Sequence, residues 1–182
     1  MIKVWKAKLD TGEYTHGSLL NVKEFRGVKT TLPESLAGKF PGAHIRIDSE
    51  DPPADFFTVG TLFIISRKLK SVLDEFPLVR ELYTVDVRYK EDRLPIGSYF
   101  FLHILDTAAC LDRANSLFKE EKGYVGDITK LVIDESKATG KHLFRLARAY
   151  QRLVFVSESL ATAIEGAAIT GVQLQEPASW RW

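Results

Sequence analysis

The chain has a single cysteine, Cys110, among its 182 residues, so no disulfide can form within it. That favours a reducing compartment, because small secreted domains commonly staple themselves with several bridges. Excess charge is lacking too: 25 lysines and arginines stand against 24 acids, a formal net charge of +1. A general nucleic-acid binder carries a basic footprint, and no lysine- or arginine-rich run supplies one, so direct nucleic-acid binding is not expected. No apolar run approaches the roughly 18 residues that a membrane-spanning helix needs. The opening MIKVWKAKLD alternates apolar and charged residues and contains no signal-peptide core. These absences predict a soluble, cytoplasmic protein with no membrane partner. Hydrophobic residues make up 45% of the chain, and its length suffices for a packed core.

Signatures of chemistry are equally scarce. The glycine-richest stretches, GKFPG and GYVG, match neither the dinucleotide fingerprint nor the Walker phosphate loop. His16, His44, His103 and His142 stand far apart, without the close second ligand that zinc sites show. Cys110, between Ala109 and Leu111, reads as a small buried residue; only Arg113 is near to activate a thiol. Glu120 and Glu121 lie among lysines, as on a solvated face. The expectation is a protein with no catalytic residue, cofactor or metal. Two alternatives stay open: an enzyme whose site gathers dispersed residues such as His103, Asp106 and Asp112, and a self-associating structural or regulatory module.

What the chain does contain is a phrase written twice. FIISRKLKSVLDEF, residues 63–76, and VFVSESLATAIEGA, residues 154–167, each run from an apolar strand through a serine into a helical pattern. Ser66 and Ser157 stand where a hydroxyl can accept a first-turn backbone N–H. Leu69, Val72, Leu73 and Phe76 repeat at i, i+3, i+4 and i+7, as do Leu160, Ala163, Ile164 and Ala167. Neither serine has the flanking glycines of a nucleophile elbow, so helix capping is the expected role.

Around these units the patterning predicts strands over residues 2–9, 44–48, 82–90, 98–105, 128–134 and 171–175. Residues 10–40 read as turns with a short helix near Pro33–Lys39, and residues 119–123 as an exposed turn. Residues 142–150 are ambiguous between helix and strand. The predicted fold class is α+β (mixed α/β): amphipathic helices on a largely antiparallel sheet, built from two strand–serine–helix–strand units. The domain is expected to span 1–182, with a loosely patterned part over 1–50, a core over 55–175 and a tail over 176–182.

Several residues suit contact with another protein. The acidic loop DSEDPPADFF carries Glu50, Asp51 and Asp55 ahead of Phe56 and Phe57, and the chain ends on Trp180, Arg181 and Trp182. Aromatics and arginine commonly anchor interfaces, although Phe56, Phe57 and a tryptophan would serve a core equally well. Arg67 and Lys68 occupy a first helical turn, where the dipole disfavours cations, so an acidic partner or solvent must compensate.

The ordered set resembles a known family. Asp55-Phe56 followed by a strand ending at Ser66, then GSYFFLHIL with Asp112 and Ser116, then LVIDESKATGKHLFR and VFVSESLATAIEGAAITGVQL, is similar to the bacterial immunity proteins of polymorphic-toxin systems typified by a Myxococcus member. The resemblance covers about two thirds of the chain, from Asp55 to Leu174, and leaves the first 50 residues unmatched. It implies a non-enzymatic protein encoded beside a secreted toxin domain, a nuclease being one such toxin, which it binds and blocks. The near-neutral charge departs from the acidic character of an inhibitor that mimics nucleic acid.

Overall fold

The computed structural model describes residues 1–8, 15–149 and 153–180. In chain order its elements are β1 (Ile2–Ala7), β2 (Gly17–Leu19), β3 (Ala43–Ile47), β4 (Phe56–Val59), β5 (Leu62–Ser66), α1 (Arg67–Asp74), β6 (Arg80–Tyr89), β7 (Asp92–Arg93) and β8 (Tyr99–Ile104). There follow β9 (Thr107–Ala108), β10 (Leu117–Glu121), β11 (Tyr124–Lys130), β12 (Leu143–Leu146), β13 (Val154–Ser157), α2 (Glu158–Gly166) and β14 (Val172–Gln175). Strand outweighs helix, and the class is mixed α+β.

Two sheets carry the fold. One has the order β14-β1-β13-β12-β9 and is antiparallel except between β12 and β9. The other runs β2-β3-β6-β8-β5-β4, with β7 folded back on β6, and only β3 and β6 are parallel. This second sheet curls until its end strands β2 and β4 come into contact without laddering to each other. The hairpin β10–β11 forms its own ladder, bonded to the segment after β12 where Val125 N–H donates to the Arg148 carbonyl (2.7 Å), and turns through Lys122 and Gly123, each at positive φ (52° and 81°). Such paired left-handed residues match the twist of the flanking strands.

Period-two alternation sorts the side chains into layers. Tyr99 and Phe101 of β8 point into the curled sheet with Ile45, Phe57, Ile64 and Val87. Leu102 and Ile104 point the other way, onto Leu69 and Leu73 of α1 and Leu160 and Ile164 of α2. Val154 and Val156 of β13 join that same layer, so the two helices share one core with faces of both sheets. Phe155, between those valines, faces a third core with Val4, Phe144, Cys110 and Trp180. Each such large apolar side chain contributes about 1.5–3 kcal/mol on burial.

Several expectations need correction. Residues 33–39 form turns, not a helix, because strand side chains take the backbone groups a helix would pair internally. The Glu81 carboxylate accepts from Leu36 N–H at 2.9 Å, and His103 Nε2 bonds the Glu34 carbonyl at 2.8 Å. The region read as turns also contains β2 and a 3-10 helix, Val22–Phe25. In the 119–123 tract, Lys119–Glu121 are strand and the turn is only two residues. The strand expected over 128–134 begins earlier and stops at Lys130; a 3-10 helix, Glu135–Ala138, starts where the Asp134 side chain accepts from Ser136 N–H. Residues 143–146 resolve as strand, while Tyr150 lies outside the described residues. Leu9, at the end of the first expected strand, also lies outside them.

Candidate functional site

The two serines stand in matching backbone settings. Ser66 Oγ accepts from Leu69 N–H at 3.1 Å, and Ser157 Oγ accepts from Leu160 N–H at 3.3 Å. Each serine also donates its own N–H across a hairpin, Ser66 to the Asp55 carbonyl (2.7 Å) and Ser157 to the His142 carbonyl (3.0 Å). The side chain of that cross-strand partner then meets the hydroxyl. Ser66 donates to Asp55 Oδ1 at 2.6 Å, and Ser157 Oγ lies 2.8 Å from His142 Nδ1.

Asp55 is thereby consumed within the chain. Its other oxygen accepts from Thr170 N–H (3.0 Å) and Thr170 Oγ1 (3.1 Å), and Lys68 Nζ stands 3.7 Å away. Burial opposes ionisation of this carboxyl, but the bonds from Ser66 and Thr170 and the Lys68 ammonium outweigh it and hold the pKa below the usual carboxylate range. The neighbouring backbone completes a junction: Phe56 N–H donates to the Thr170 carbonyl and Lys8 N–H to the Gly171 carbonyl. A Cβ on Gly171 would fall 2.0 Å from the Phe56 carbonyl oxygen, so only glycine fits there.

The other residues expected at an interface are distributed as follows. Glu50 and Asp51 are exposed, on a loop held by bonds from Tyr89 Oη to the Glu50 carbonyl and from Tyr99 Oη to the Pro53 carbonyl (2.9 Å). Arg67 and Lys68 are exposed, yet Arg67 Nε donates to the Gly97 carbonyl (3.0 Å) and Lys68 Nζ to the Ala168 carbonyl (2.8 Å). These acceptors offset the unfavourable helix dipole. Trp180 is 2% exposed and seals the third core, as Phe56 and Phe57 fill the other two. Arg181 and Trp182 lie outside the described residues.

Two concavities bear on function. A shallow cleft of about 460 Å³ at the start of α2 is lined by His142, Ser157, Ser159, Glu135 and Glu158. Ser159 Oγ reaches Ser157 Oγ at 3.0 Å and His142 Nδ1 at 3.3 Å. Among the described residues nothing hydrogen-bonds His142 Nε2, so the imidazole lacks the orienting partner that a catalytic base uses. The second concavity, about 480 Å³, is a groove where β2 and β4 face each other. Leu19, Val22, Phe25, Val28, Val59 and Leu62 line it. No residue of the groove was singled out by the sequence reading; the available signal was VKEFRGVK, cations interleaved with apolar residues outside any regular period.

Neither concavity is lined by His103, Asp106 or Asp112. His103 is fully buried, Asp106 Oδ1 accepts from Lys141 Nζ at 2.5 Å, and Asp112 Oδ1 accepts from the Ala114 and Asn115 N–H groups of its own turn. Among the described residues no three histidine, cysteine or acidic side chains converge as a metal site would require, and no helix is long and apolar enough to cross a membrane.

Comparison with protein families returns one described as an immunity protein family (Imm11), matched over residues 15–179. The chain belongs to that immunity protein family. The match takes in the N-terminal third from residue 15, including β2, β3 and the wall of the groove, which the resemblance read from the sequence had left out. No curated protein matches the chain.

Proposed function

We propose that this protein neutralises a cognate secreted antibacterial toxin domain by binding it, and so protects the cell that makes both. Family membership over residues 15–179 carries the reading. In it, residues 1–182 act as one cytoplasmic, cofactor-free binding unit, and the doubled strand–serine–helix–strand pattern serves as scaffold. Blocking proceeds by covering the toxin rather than by imitating nucleic acid, in keeping with the net charge of +1. Exposed Glu50, Asp51, Arg67 and Lys68 are available to the contact. A stable interface of this kind buries about 1,200–2,000 Å² in total, with affinity of about nanomolar or tighter. Co-expression with the toxin encoded beside it should rescue growth, and the two should copurify; failure of both with that toxin removes the reading.

The Ser157–His142 pair supports a second reading, hydrolysis by an imidazole-activated serine. Against it, Ser157 Oγ is engaged by Leu160 N–H and His142 Nε2 has no orienting acceptor among the described residues. A fluorophosphonate probe should leave the protein unlabelled. Labelling that vanishes in Ser157→Ala would promote the enzyme instead.

A further inference from the structure

The curled sheet ends in two edges that never pair. Among the described residues β2 ladders with β3 alone, and β4 with β5 alone. They come close at Gly17, where an added Cβ would lie 3.1 Å from Val59 Cγ2, and Leu19 and Gly60 line the groove beside that approach. The third wall is the segment 22–31. It is fixed at its far end: Thr30 Oγ1 lies 2.6 Å from Thr61 Oγ1, and Arg145 Nη1 donates to the Thr31 carbonyl at 2.7 Å. The groove is therefore built into the fold and does not depend on a loose loop.

Its floor and its rim differ in chemistry. Apolar side chains line it, and the exposed Val22 (60% accessible) and Leu20 (49%) extend the apolar surface outward. Along the same segment Lys23, Arg26 and Lys29 are exposed and enter no ion pair among the described residues. The one acid there, Glu24, accepts from Asn21 Nδ2 at 2.9 Å. Glu24 keeps its charge, so this exposed segment, which walls an apolar cleft, holds three cations against one acid, a basic excess on a chain whose overall charge is near zero; such a local field favours acidic partners.

We propose that this groove is the toxin-docking site, and that it receives an acidic segment of the toxin anchored by apolar side chains. The inference rests on the immunity reading and adds the surface and the chemistry of the contact. The apolar side chains enter between Leu19 and Val59, and the carboxylates face Lys23, Arg26 and Lys29. The cleft volume falls within the range of about 300–1,000 Å³ usual for binding clefts, enough for a few side chains but not a folded domain. The rest of the toxin therefore lies outside it.

The test titrates the full chain with the toxin domain encoded beside it. Lys23→Glu/Arg26→Glu/Lys29→Glu should weaken binding by about 100-fold or more, and Val22→Asp by about tenfold, with thermal unfolding unchanged. The matching reversal of Lys119, Lys122 and Lys130 on the β10–β11 hairpin should change it less than about threefold. In the wild-type complex, hydrogen exchange over residues 17–31 and 56–62 should slow by about tenfold or more, a readout that needs no variant. Groove reversals that bind like wild type, or a complex without slowed exchange there, overturn the docking site and leave the immunity reading intact. A homodimer lost in the triple variant while toxin binding persists also overturns it. A wild-type chain that does not bind the toxin removes the immunity reading and this inference with it.

Discussion

The two serine-capped helices begin from the same backbone arrangement but in different company. At the first, the hydroxyl meets Asp55, a carboxylate 15% exposed that accepts three bonds, from one hydroxyl, one backbone N–H and a second hydroxyl. At the second, it meets His142 at the edge of a cleft, where Ser159 shares the same imidazole nitrogen. Through Thr170 the carboxylate also ties the start of the first unit to the loop leaving the second helix, a sequence separation of 115 residues. His142 packs its ring against Phe76 at 5.2 Å, but among the described residues its side chain hydrogen-bonds only to the nearby Ser157 and Ser159. A hydrogen bond to a charged acceptor is worth roughly twice one to a neutral acceptor, so the first cap is the structural keystone and the second the weaker of the two.

That contrast can be broken most forcefully at the junction. Gly171→Ala should destabilise the protein by about 4 kcal/mol or more in urea unfolding, because its Cβ would overlap the Phe56 carbonyl and its φ of +78° is strained for alanine. Next, Asp55→Ala should cost about 1.5–3 kcal/mol by removing the charged acceptor shared by Ser66 and Thr170, whereas His142→Ala should cost about 1 kcal/mol. Equal losses at the two positions would erase the distinction. The same difference should appear in pH dependence. The folded pKa of Asp55 is depressed, so its contribution is complete above the unfolded value of about 3.9 and is lost as pH falls through the folded value. The stability gap between wild type and Asp55→Asn should therefore be widest near neutrality and close below about pH 4. Ser66→Ala should cost about 1–2 kcal/mol against about 0.5–1 for Ser157→Ala, read from the same unfolding curves. Smallest is Lys68→Ala: with a side chain 52% exposed it should change stability by at most about 0.5 kcal/mol, detectable only at low salt.

Much of the fold could be read from periodicity where the pattern was strong. The strand around Tyr83, Val85, Val87 and Tyr89 turns those four side chains to one core, as their alternation requires. The antiparallel pairing of β6 with β8 follows the turn signal at Pro95–Gly97. Reading failed where backbone groups find distant partners. Residues 33–39 have a composition a helix would tolerate, but Glu81 and His103 take their backbone groups from strands some 45 to 69 positions away. The candidate contact residues fared unevenly for the same reason. Asp55 looked like part of a wet acidic loop, and nothing local announces that Ser66 and Thr170 will surround it. Lys23, Arg26 and Lys29 attracted no attention because a groove belongs to two strand edges, and no single segment contains it.

By itself the sequence determined the local grammar: which stretches alternate, where a hydroxyl can start a helix, and that no crowded metal or phosphate motif is written in one place. These properties depend on neighbours a few positions apart, whose spacing is fixed by the backbone. Only the tertiary structure decided which edges stay unpaired, which carboxylate is swallowed and which cations are left facing solvent. Those outcomes depend on contacts between residues tens of positions apart, and pairing over such distances is set by how the whole chain closes on its cores.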